Sequence, residues 1–105
     1  IEAQAMGCPV IVPDLGALPE TIVAASSNQA NFTGWLTPPR DIETLAASIR
    51  QALLLSPAER AAIGDRARAH VAANFSLARM QTLTLSVYDE LLGTELAARF
   101  AAASA

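Results

Sequence analysis

The chain has no lysine, one cysteine and one histidine, and each scarcity removes a class of function. With Cys8 alone, no intrachain disulfide can form and a zinc site of the usual cysteine-pair kind is excluded, so a reducing, cytoplasmic setting is expected. The 7 basic residues are all arginines, scattered from Arg40 to Arg99 without a block, against 10 acidic residues and a net charge of -3. That balance argues against nucleic acid as a partner. No apolar run approaches the ~20 residues that a membrane span needs, and the start lacks the basic flank of a signal peptide. His70 has no serine, cysteine or second histidine at triad or metal-ligand spacing and reads as structural. Cys8, beside Pro9 at the entry to an apolar run, reads as a small core residue rather than a nucleophile. The opening Ile1-Glu2-Ala3-Gln4-Ala5-Met6 carries good helix formers with no capping residue before them, so the chain is expected to start inside an element of a longer protein.

What is present suits one small folded domain: 105 residues, 52% apolar and 16% charged. Gly7 is a natural stop for the opening helix, and Pro9-Val10-Ile11-Val12 is a short, β-branched apolar run of the kind buried on both faces of a parallel sheet. Pro13 to Ala17 reads as a turn, and Leu18 to Ala25 as a short helix with Pro19 and Glu20 in its first turn. The polar loop Ser26 to Asn31 leads to a second strand at Thr33 to Thr37, ended by Pro38 and Pro39. Trp35 in that strand could stack on a base but reads better as an anchor for the helix that follows. Asp41 can cap this helix, whose positions Ile42, Leu45, Ala46, Ile49 and Leu53 share one face.

Ser56-Pro57-Ala58-Glu59 is a capping box with proline at the first helical position. The helix it opens should turn Ile63, Ala67 and Val71 inward and Arg60, Arg66 and Arg68 outward, ending near Asn74. Ser76 caps the next, striped by Met80, Leu83, Val87 and Leu91 and closed by Gly93; an alanine-rich tail from Glu95 should start helical and fray. The expected class is therefore α/β, mostly helical, with two short parallel strands that call for further sheet neighbours.

Two positions are candidates for binding. Glu2 starts a helix leading into a buried strand, near the edge of an α/β sheet where ligands bind, although a solvated helix carboxylate is the plainer reading. Gly16 makes a tight turn beside a helix N-terminus, a geometry that favours phosphate, although on its residues alone a simple strand-to-helix turn is the plainer reading.

The run Glu2-Ala3-Gln4-Ala5-Met6-Gly7-Cys8-Pro9-Val10-Ile11-Val12, then Gly16-Ala17-Leu18-Pro19-Glu20, then Thr33-Gly34-Trp35-Leu36-Thr37-Pro38-Pro39-Arg40-Asp41, resembles the C-terminal part of the family-four (group 1) retaining glycosyltransferases of GT-B fold. Arg66-Ala67-Arg68, Phe75-Ser76, Met80 and Tyr88-Asp89-Glu90-Leu91-Leu92 continue the resemblance, which covers residues 1 to about 92. It implies a partial Rossmann-like, nucleotide-sugar (donor) binding domain over 1–92, with 93–105 a C-terminal helical tail. It further implies that Glu2 is the second glutamate of a Glu-x7-Glu motif, holding the ribose hydroxyls of a nucleotide diphosphate sugar, with Gly16 in the donor-side turn. No catalytic residue, metal or cofactor is implied within the chain. Where the family often has two glycines before the Pro-Glu pair, this chain has Gly16-Ala17, which weakens any close backbone approach at Ala17. The loop Ser26 to Asn31 is longer than in the most compact members and reads as a surface insertion.

On this resemblance the whole enzyme would transfer a sugar with retention, while the isolated chain would be inactive and would self-associate as a homo-oligomer. Another GT-B enzyme, such as a nucleotide-sugar epimerase or sugar phosphorylase, is the nearest alternative. A stand-alone helical protein-interaction module is the alternative of a different class.

Overall fold

The computed structural model describes residues 1–104. The chain divides into two compact units, Ile1–Ala72 and Ala73–Ala105. The first contains α1 (Glu2–Ala5), β1 (Val10–Pro13), a 3₁₀ turn (Leu18–Thr21), β2 (Gly34–Thr37), α2 (Ile42–Leu54) and most of α3 (Pro57–Asn74).

α1 ends as its sequence suggests: Gly7 takes a left-handed φ of 76°, its N–H donates to the Gln4 carbonyl, and the Cys8 N–H donates to the Ala3 carbonyl. These are the two bonds of a Schellman motif, which glycine can adopt without a Cβ penalty. β1 and β2 then pair in parallel, with Val10 opposite Gly34 and Pro13 opposite Thr37. Gly34 is flanked on its other side by a parallel bridge to Ala24. A Cβ there would lie 2.4 Å from the Val10 carbonyl oxygen, so no other residue fits this crossing point unshifted. β1 is half-buried rather than covered on both faces, having β2 as its one sheet neighbour among the described residues.

The expected helix from Leu18 to Ala25 shrinks to a single 3₁₀ turn. Thr21, Ile22 and Val23 are β-branched and lose side-chain freedom in a helix, and Ile22 is already extended at φ −132° and ψ 161°. The extended chain closes the Ala24 bridge and receives the Thr33 N–H at the Val23 carbonyl, 2.9 Å away. Non-local strand bonds replace the helical ones.

The core gathers Ile22, Ala24, Trp35, Ile63, Ala67 and Val71. α3 supplies the last three, as its spacing predicts, and its Gly64 packs so closely that a Cβ would lie 2.5 Å from the Gly7 carbonyl oxygen. Trp35 anchors α2, its indole Nε1 donating to Gln51 Oε1 at 3.0 Å, and meets the Phe32 ring edge-on with centroids 5.3 Å apart. Arg66, expected outward, folds back instead. Its guanidinium lies 5.5 Å from the Phe32 ring centroid and its Nε donates to the Phe32 carbonyl at 3.1 Å. A cation over an aromatic face gains by the ring quadrupole while the arginine stem covers apolar surface.

α2 runs from the Asp41 cap with the predicted apolar positions on one face. The apolar stripe is exposed, with Ile42 at 79%, Leu45 at 42%, Ile49 at 43% and Leu53 at 73%. The covered face carries buried Ser48 with half-buried Thr44 and Ala52, small side chains that let the helix lie close over Trp35. The Ser56 capping box forms in full: the Glu59 N–H donates to Ser56 Oγ at 3.2 Å and the Ser56 N–H to Glu59 Oε2 at 2.8 Å.

The second unit holds α4 (Leu77–Leu92) and α5 (Leu96–Ser104), packed as a hairpin. Ser76 caps α4 by accepting the Arg79 N–H, and Gly93 closes it at φ 64°. The stripe Met80, Leu83, Val87 and Leu91 is more than half exposed.

Candidate functional site

Glu2 occupies the first turn of α1 with its side chain exposed. Gly16 follows β1 in the turn leading to the 3₁₀ segment, at φ 57° and with open space where a Cβ would stand. A left-handed φ is what glycine tolerates and most residues do not. The turn is closed by the Leu15 N–H on the Pro13 carbonyl and the Leu18 N–H on the Leu15 carbonyl. Glu2 and Gly16 share no hydrogen bond or ion pair among the described residues.

A third residue joins their two elements. Gln4, 1% exposed, donates from Nε2 to the Thr21 carbonyl at 2.8 Å, tying α1 to the end of the 3₁₀ turn that Gly16 introduces. Sequence reading passes over Gln4, because a glutamine in a run of helix formers looks solvated; only its position two residues from Glu2, on the same short helix, could have drawn notice.

At the carboxyl ends of the two strands lies an open groove of about 240 Å³, lined among others by Ile11, Pro13, Thr37, Arg40 and Asp41. Open α/β sheets bind ligands at this edge. Arg40 stands there at a left-handed φ of 64°. Asp41 is committed to α2, accepting the Thr44 N–H at 2.9 Å and the Thr44 hydroxyl at 2.6 Å. The Thr44 hydroxyl first, and then its N–H, hold the Asp41 carboxyl below its ordinary range. A cap so engaged is structural. Cys8 is exposed rather than a core residue, and no group of three or more metal-binding side chains occurs among the described residues. No helix among them is long and apolar enough to cross a membrane.

The sequence profile of the family described as Glycosyl transferases group 1 matches residues 1–70. The chain belongs to this family. Its two parallel strands and helices are the C-terminal part of a GT-B glycosyltransferase domain. Three mannosyltransferases are similar to this glycosyltransferase chain. The "GDP-mannose-dependent monoacylated alpha-(1-6)-phosphatidylinositol monomannoside mannosyltransferase" of Corynebacterium glutamicum is 40% identical over 76 residues, covering 72% of the chain and 18% of that protein. The "MMP alpha-(1->4)-mannosyltransferase" of Mycolicibacterium hassiacum is 33% identical over 92 residues, 88% of the chain and 21% of that protein. The "Lipopolysaccharide core biosynthesis mannosyltransferase LpcC" of Rhizobium leguminosarum bv. viciae is 36% identical over 93 residues, 89% of the chain and 24% of that protein. The chain thus spans 18% to 24% of the length of these relatives. No solved structure is significantly similar to it.

Proposed function

We propose that this glycosyltransferase chain is the C-terminal part of the donor half of a retaining, cytoplasmic enzyme that moves a sugar from a nucleotide diphosphate to an acceptor. Residues 1–92 contribute to the nucleotide-sugar domain and 93–105 form a helical tail. The observation carrying this reading is the match of residues 1–70 to the group 1 glycosyl transferases, with the Glu2 carboxylate at the start of a helix that Gln4 ties to the end of the 3₁₀ turn. A carboxylate so placed accepts hydrogen bonds from two neighbouring ribose hydroxyls, and bonds to a charged acceptor are the stronger kind. Gly16 leaves room at the turn for close approach of the donor.

Departure of the nucleoside diphosphate leaves negative charge that fixed positive groups and amide dipoles must stabilise. This chain has no lysine to offer, and Arg66 and Arg68 are engaged with Phe32 and Asp65. The family resemblance implies that the basic pair gripping the phosphates belongs to other segments of the enzyme, and on that reading the 105-residue chain alone is inactive. Three relatives are named mannosyltransferases, so a mannosyl donor is the first to test.

The decisive experiment uses the complete transferase carrying this chain. A panel of GDP-, UDP- and ADP-sugars identifies the donor, and NMR of the first-formed product reads its anomeric configuration. Glu2→Ala should then weaken calorimetric binding of the matching nucleoside diphosphate by roughly ten- to hundredfold. An inverted product sinks the retaining mechanism, and an unchanged dissociation constant returns Glu2 to the class of solvated helix carboxylates.

A further inference from the structure

Pro38, Pro39, Arg40 and Asp41 make the turn that carries the chain from β2 into α2, closed by the Asp41 N–H on the Pro38 carbonyl at 3.3 Å. Arg40, third of the four, has φ 64° and is the one non-glycine residue with a positive φ among the described residues. Proline second and a left-handed residue third is the type II pattern, whose third place favours glycine, which bears that backbone without penalty. The turn is fixed by this local bond and by the Pro39 ring, so its geometry does not depend on what the rest of the enzyme packs around it. An arginine there is strained backbone retained for a side chain, and strained residues gather where ligands bind.

The surroundings indicate which ligand. The groove at the carboxyl ends of β1 and β2, the edge at which open α/β sheets bind, is walled mostly by apolar side chains, and the charged residues in its lining are Arg40 and Asp41. Asp41 is committed to α2: its carboxylate takes the Thr44 N–H and hydroxyl and faces the positive end of that helix. The cation is Arg40's alone. A guanidinium beside apolar walls attracts an anion more strongly than one in open water, and its planar fork matches two phosphate oxygens. The Gly16 turn leaves the same edge, since the Asp14 N–H donates to the Thr37 carbonyl at 2.7 Å and the two turns start side by side.

We propose that Arg40 is a phosphate-binding residue, set at the strand-end groove to grip a phosphate group of a substrate of this transferase. A nucleotide diphosphate donor carries such a group, and so does a phosphorylated acceptor; the chemistry of the grip is the same. Arg40 acts beside the basic pair expected in other segments of the enzyme. The donor form of the inference rests on the proposed nucleotide-sugar reading, but neither form needs the ribose contact of Glu2.

The test uses the complete transferase as wild type, Arg40→Gly and Glu2→Ala. Arg40→Gly removes the guanidinium and supplies the residue the turn prefers, so it should melt no lower than wild type. The first arm is calorimetry with whichever of GDP, UDP or ADP the wild type binds best, and with the matching phosphate-free nucleoside. A grip on the donor makes Arg40→Gly about five- to twentyfold weaker for the diphosphate and leaves the nucleoside unchanged. The second arm titrates inorganic phosphate into enzyme saturated with that diphosphate. A grip on an acceptor's phosphate appears there as wild-type binding that Arg40→Gly weakens by about fivefold or more. Equal behaviour of wild type and Arg40→Gly in both arms overturns the proposal. So does an equal loss on diphosphate and nucleoside, or a melting temperature below wild type, which would make Arg40 a prop of the turn. Glu2→Ala should weaken the nucleoside as well as the diphosphate. If it binds both normally, the ribose contact fails and the Arg40 comparison stands; if Arg40→Gly behaves as wild type while Glu2→Ala is weakened, only the phosphate grip fails.

Discussion

Asp89, on the last turn of α4, receives the backbone N–H of Leu96 at 2.6 Å and so caps α5 from the preceding helix. Its second oxygen accepts the Ala97 N–H at 2.9 Å, and the Thr94 hydroxyl donates to the first at 2.6 Å. Helix N-termini leave their first N–H groups unpaired, and here a carboxylate from outside α5 answers two of them while facing the positive end of its dipole. The Gly93 turn makes this reachable, its own N–H returning to the Asp89 carbonyl at 2.8 Å.

These bonds, the Thr94 hydroxyl first and then the Ala97 amide, hold the Asp89 carboxyl below its ordinary value of 3.8; burial opposes them and the Leu96 amide contributes least. A folded pKa below the unfolded one means stabilisation that is complete above the ordinary carboxylate pKa and is lost as pH falls through the lowered value. Acidification from about pH 5 through the lowered value should therefore loosen the start of α5, seen as lower amide protection factors, measured against the intrinsic exchange rate at each pH, at Leu96 and Ala97. Asp89→Ala should show that lower protection already at neutral pH. Protection of both amides that is unchanged in the variant would refute the cap.

Gly34 and Gly16 should respond oppositely in kind to alanine. At Gly34 the added Cβ meets the Val10 carbonyl oxygen at 2.4 Å, between two parallel partners, so the strands must separate. Overpacking of this sort costs about 1–3 kcal/mol, and backbone on both sides leaves little room to relax. Gly16→Ala meets open space and bears only the left-handed backbone, a cost of about 1 kcal/mol. Urea denaturation of the two variants should rank Gly34→Ala well below Gly16→Ala. An equal loss would place the strain in conformation alone.

Local chemistry made much of the fold legible. The Ser56 capping box, the Asp41 and Ser76 caps and the glycine stops at Gly7 and Gly93 depend on neighbours within a few residues, and all form. What needed distant partners was hidden. The Leu18 segment stops at one turn because Ala24 bridges to Gly34. Periodicity grouped Ile42, Leu45, Ile49 and Leu53 on one face of α2 but could not say that Thr44, Ser48 and Ala52 would meet the sheet. Arg66 turned inward for Phe32, 34 residues away, and Gln4 for Thr21. Glu2 and Gly16 stood out through the family resemblance, since an exposed glutamate and a turn glycine are common.

The exposed side of α2 leads to a prediction about the isolated 105-residue chain. Ile42, Leu45, Ile49, Leu53 and Leu54 are each at least 42% exposed, and Leu45 adjoins Ile11 along the groove at the strand ends. Single exposed apolar residues are ordinary, but a continuous face of them on a small domain seeks cover. β1 adds a strand edge with no partner among the described residues, and unpaired edges recruit other chains. Sedimentation equilibrium at micromolar concentration should therefore find a dimer or larger species, with an interface of about 2,000 Å² if the contact is of obligate type. Ile49→Glu should shift that equilibrium toward monomer while leaving the helical circular dichroism signal intact, because Ile49 is 43% exposed and its replacement disturbs little of the core. A wild-type chain that stays a folded monomer would mean that Trp35, α3 and the two strands close a sufficient core by themselves. A variant that associates as strongly as the wild type would move the contact away from α2 to the edge of β1.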